Sequence, residues 1–130
     1  SDEETEDATE GTNSMTDAWW GRATTYALQA SLGTPADGII SDQDIYFADD
    51  VTRAGTGWEF DDDPEYGSEV ICALQQKLGV EVDGLIGPDT ISALQQHLKN
   101  RGHDLEVDGV AGYRTVECLQ YELNNGTLWS

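Results

Sequence analysis

The side chains that could carry catalysis are few and poorly arranged for it. His97 and His103 lie six residues apart, one in a helical pattern and one beyond it, with no acidic or cysteine partner at zinc-ligand spacing. Cys72 and Cys118 fall in apolar helical stretches that lack the histidine and the exposed, electropositive setting an activated thiol needs. They read as buried free thiols, with a bridge between their helices left geometrically open. Paired carboxylates for glycoside cleavage can be picked from any chain with 26 acids, so their presence selects nothing. Asp61-Asp62-Asp63-Pro64-Glu65 is rich enough in oxygen to attract Ca²⁺, but it lacks the Asp-x-Asp-x-Asp-Gly spacing and closing Glu of a calcium loop. The expectation is no catalytic residue, no metal and no cofactor.

Charge narrows the partners. The 130 residues carry a formal charge of −20, with six Lys/Arg against 26 Asp/Glu. Such a chain has no cationic face for nucleic acid phosphates or for an anionic membrane surface. No apolar run approaches the ~18–20 residues that span a bilayer. Six of the first ten residues are acidic and none is basic. Without large apolar groups that stretch cannot offset its ordering entropy, so residues 1–16 read as a disordered acidic linker, which implies a further domain upstream. The bland reading of the remaining acidity is solubility outside the cell.

The elements come from one pattern that occurs four times: Leu28-Gln29…Leu32, Leu74-Gln75…Leu78, Leu94-Gln95…Leu98 and Leu119-Gln120…Leu123. Leucines four apart share a helical face. Four residues before each first Leu stands Thr24, Val70, Thr90 or Thr115, and three before that a glycine: Gly21, Gly67, Gly87 or Gly112. Three copies are linked by turns, Asp37-Gly38, Asp83-Gly84 and Asp108-Gly109, in which Gly accepts a positive φ and Asp bonds its own turn amides. So strict a register marks an internal repeat. Helices are expected from residue 21 or 22 to 33, 68 to 78, 87 to about 101, and 113 to about 125. Helices this short must pack on one another to hide their leucines. The fold expected is all-α, a small bundle of four main short helices with a long irregular excursion over residues 41–66. Residues 17–66 form the first repeat with its loop, and 67–130 the tandem repeats sharing the middle helix, packed with the first as one unit.

Residues 70–98, with Leu74-Gln75, Asp83-Gly84, Gly87-Pro88-Asp89-Thr90 and Leu94-Gln95, resemble the three-helix type of peptidoglycan-binding domain. Residues 107–123 repeat the pattern with Tyr113 where proline is usual, and residues 18–43 are similar to a segment of the wall-targeting regions of secreted or phage lysozymes and endolysins, including family 25 glycoside hydrolases. The resemblance covers roughly residues 18–43 and 67–124 and covers 44–66 poorly. It implies a non-catalytic anchor that holds an upstream peptidoglycan hydrolase on bacterial cell wall, extracellular and wall-associated, with glycan strand or stem peptide as ligand. The alternative is a protein–protein docking module on the same scaffold, for example against the parent catalytic domain.

On that reading the aromatic residues are the binding candidates, because sugar rings lie with their apolar faces on Trp and Tyr, and peptide stems can be clasped by the same surfaces. The candidates are Trp19, Trp20, Trp58 and Tyr113, together with Arg114 as partner for a stem-peptide carboxylate. Each has a plainer reading: core packing for the rings and a surface ion pair for Arg114. The Gln of each repeat either pairs with a neighbouring Asp-Gly turn or reaches ligand.

Overall fold

The computed structural model describes residues 15–130. The linker expected over residues 1–16 lies outside them except for its last two residues. Of these, Met15 is already buried, and its carbonyl accepts a hydrogen bond from the Asn124 side-chain amide.

Four α-helices carry the Leu-Gln pattern: α1 (Arg22–Leu32), α2 (Glu69–Leu78), α3 (Pro88–Asn100) and α4 (Tyr113–Asn125). Pro88 opens α3, where its missing N–H would be unpaired in any residue. Helices α1 and α2 stop at Gly33 and Gly79, whose positive φ angles of 77° and 79° form left-handed caps. The first leucine of every pair (Leu28, Leu74, Leu94 and Leu119) is fully buried. Helix α1 packs against α2 and α4, and α3 against the same two, so the helices form a closed ring around one core.

The expectation of an all-α fold is corrected. Two strands, β1 (Ile40–Asp44) and β2 (Trp58–Asp61), pair in parallel, with Ile40 opposite Trp58 and Asp44 opposite Asp61, and Trp20 bridges Ala54 beside them. The fold is a small mixed α/β one. Residues 45–57, which include a 3₁₀ helix (Ile45–Asp50), give the crossover of about a dozen residues that parallel pairing requires. Trp58 and Phe60 point to one side of β2 and stack at 5.7 Å and 8°, while Trp20 meets Trp58 edge-on at 5.2 Å. This aromatic packing joins the excursion to the helical core, which is why it is ordered without leucine periodicity.

Candidate functional site

The repeat glutamines build the frame. In the third repeat Gln95 Oε1 accepts the N–H groups of Asp108 and Gly109, both at 2.9 Å, and its Nε2 donates to Asp108 Oδ1, the Val110 carbonyl and Thr115 Oγ1. Gln75 does the same with Asp83, Gly84, Leu85 and Thr90. Gln29 holds Asp37, Gly38 and Ile39 but donates to no threonine, because Val70 occupies that place. No Asp-Gly pair occurs in residues 121–130, and Gln120 closes instead on the amino-terminal side. It accepts the Ala18 N–H at 2.9 Å and donates to Asp17, the Trp19 carbonyl and Thr24. Ala18, with φ 59°, fills the position that Gly38, Gly84 and Gly109 fill at 76–78°. Asp17-Ala18 is therefore the fourth turn. Hydrogen bonds from Gln29 and Gln95, and then from the Ile39 and Val110 N–H groups, hold the Asp37 and Asp108 carboxyls below their ordinary values.

The turns decide which candidate rings are accessible. Two residues after each Gly or Ala position the chain turns inward, placing Ile40, Ile86, Ala111 and Trp20 at 0% exposure. Trp20 is thus a core residue, its indole N–H on Thr25 Oγ1, and no ligand reaches it. Trp58 is half-buried between Trp20 and Phe60, with its indole N–H on the Trp20 carbonyl. The residue just before each buried one faces outward, and here that is Trp19, 37% exposed. Tyr113, 57% exposed, opens α4 beside it.

Between Trp19 and Tyr113 stands Arg53, which has no place in the repeat and gives no signal in the sequence. Its guanidinium carbon is 3.7 Å from the Trp19 ring centre and 5.3 Å from that of Tyr113, and its Nε donates to the Ala18 carbonyl at 2.9 Å. Arg114 faces the other side of Tyr113's turn, half-exposed, donating to the Asp104 carbonyl and to Glu117. An open groove of ≈ 960 Å³ runs from there, lined by Tyr113, Arg114, Lys99, Asp104, Glu106 and Val107 among others. The matching groove of the second repeat measures ≈ 350 Å³, bordered by Pro88 and Asp89 where the third has Tyr113 and Arg114, and Phe47 lies in its wall. A Cβ on Gly87 would meet the Phe47 ring at 3.3 Å, whereas on Gly112 the nearest contact is Thr52 Oγ1 at 3.6 Å.

Both histidines are held by hydrogen bonds. His97 Nε2 lies 2.6 Å from the Leu128 carbonyl, and His103 Nε2 lies 2.6 Å from Glu122. Both cysteines are free, and burial pushes the Cys118 thiol up. Among the described residues no group of three or more His, Cys, Asp or Glu is placed to hold a metal ion, and no helix is long and apolar enough to cross a membrane.

No protein-family model, curated protein or solved structure matches the chain.

Proposed function

We propose that this chain is a non-catalytic module that binds bacterial peptidoglycan and keeps an attached lytic enzyme at the wall. The observation that carries the reading is the meeting of two exposed rings, Trp19 and Tyr113, around one guanidinium on a hydrogen-bonded frame, with Tyr113 also lining the larger of the two matching grooves. Flat rings at fixed positions suit a repetitive polymer, since sugar faces and peptide backbones both pack on them with little loss of side-chain freedom. Tethering an enzyme to its substrate raises local concentration without any new chemistry. The repeat-derived frame supports the same reading, because the Gln-to-turn bonds fix Trp19 to α4 instead of leaving it on a loose amino-terminal segment.

Co-sedimentation with purified sacculi, stripped of secondary polymers, tests the proposal. The chain is expected in the pellet, with no soluble muropeptides released. Recovery in the supernatant at both low and high salt contradicts it, and capture by a lytic domain in the same experiment would favour a docking module.

A further inference from the structure

Arg53 is half-buried in a chain that carries 26 acids, yet among the described residues no carboxylate lies within ion-pair distance of it. Arg101 and Arg114 each have such a partner, Glu122 and Glu117. Arg53 is held instead by main-chain oxygens, Ala18 at 2.9 Å and Asp17 at 3.5 Å, and by the face of Trp19. Among the described residues Nη1 has no acceptor. A guanidinium immobilised in this way keeps its planar fork ready for one incoming carboxylate, and the adjacent rings limit its screening by water. Tyr113, which meets Arg53 on one side, also lines the groove that holds Arg114 and Lys99. Asp104 and Glu106 line the same groove and complement ammonium groups.

We propose that Arg53 is a ligand-binding residue for a carboxylate, and that the wall component gripped here is the peptide stem, which bears both carboxylates and amines, and not the sugar chain. This rests on the peptidoglycan reading above. A neutral sugar chain would use the rings but would itself bring no counter-charge to the guanidinium.

The test uses the whole chain and three probes: stem peptides released from sacculi by an amidase, the same peptides with their carboxylates converted to amides, and neutral N-acetylglucosamine oligomers. Binding is read from Trp fluorescence and from displacement of the chain from sacculi. Free peptides are expected to bind and displace, with affinity falling as salt rises. Amidated peptides should bind at least ~10-fold more weakly, as should Arg53→Gln with free peptides, and Arg53→Lys should fall between. Equal binding of amidated and free peptides, or displacement by the oligomers alone, overturns the inference while leaving the wall reading intact. Failure of the chain to pellet with sacculi overturns the wall reading itself. If Arg53→Gln fails to fold, the amidation and salt comparisons on the unsubstituted chain decide the matter.

Discussion

The Oε1 atom of Gln120, on the last helix, accepts the backbone N–H of Ala18 at 2.9 Å across 102 positions of the chain. The same amide also reaches the Trp19 carbonyl and Thr24. This bond makes the fourth repeat complete: its helix comes from the carboxyl-terminal end and its turn from the amino-terminal end. Ring closure and the placement of Trp19 are consequently one event.

Loss of a repeat glutamine should be costly in proportion to what it leaves unpaired. In Gln95→Ala the N–H groups of Asp108 and Gly109 and the Thr115 hydroxyl lose their partner, and Gly109 and Thr115 are buried. A buried unpaired group costs about 1–3 kcal/mol, so urea unfolding should show a loss of at least ~2 kcal/mol. Gln29→Ala, which abandons neither a threonine nor an aspartate N–H, should lose less. Equal losses would show that the threonine bond and the aspartate N–H bond together contribute nothing.

Ala18 bears a left-handed backbone that its three sister turns assign to glycine. Ala18→Gly should therefore raise stability, by about 0.5–1 kcal/mol, since a non-glycine residue in that region costs roughly 1–2 kcal/mol. The reverse change separates two kinds of glycine. In Gly84→Ala the new methyl meets the Tyr66 carbonyl at 2.8 Å and Gly67 Cα at 2.9 Å, while at Gly33 nothing lies within 4 Å. Thermal unfolding should find Gly84→Ala the more damaging of the two, although both φ angles are positive.

Acid should loosen the join between α4 and the chain's last turn. Burial alone would raise the Glu122 carboxyl, but hydrogen bonds from Thr127, His103 and Arg101, with the Arg101 charge, outweigh it and hold it below the ordinary 4.5. A folded value below the unfolded one adds stability that is fully present above the unfolded value and lost as pH falls through the folded one. Comparing the chain with Glu122→Gln cancels the repulsion common to both. The stability gap should be fully open above the ordinary 4.5 and should narrow as pH falls below it. A gap that stays constant down to pH 3 would rule out this linkage.

The two adjacent tryptophans should respond oppositely. Trp20→Ala removes a fully buried ring and should cost about 3–5 kcal/mol. Trp19→Ala should leave the unfolding midpoint nearly unchanged and weaken wall binding.

The helices were legible because Leu-Gln spacing reports a buried stripe and a turn-binding amide together, and α1 to α4 occupy the stretches the spacing indicates. The parallel strands were not. Their four or five residues show too short an alternation, and their pairing depends on Trp20 packing from outside the segment. The fourth turn was hidden by a single substitution, since Asp17-Ala18-Trp19-Trp20-Gly21 matches Asp83-Gly84-Leu85-Ile86-Gly87 once Ala is allowed for Gly. That alignment also distinguishes outward Trp19 from inward Trp20, which residue type alone does not. Arg53 could not be found from sequence. It lies in the aperiodic excursion, and both rings it touches come from other elements.

The most direct measurement is a binding isotherm on purified sacculi for the chain and for Trp19→Ala/Tyr113→Ala, each shown to unfold at a similar temperature. Saturable binding is expected for the chain and a loss of at least ~10-fold for the double variant, the scale of interface aromatics worth more than about 1.4 kcal/mol together. Unchanged affinity in a folded double variant would contradict it.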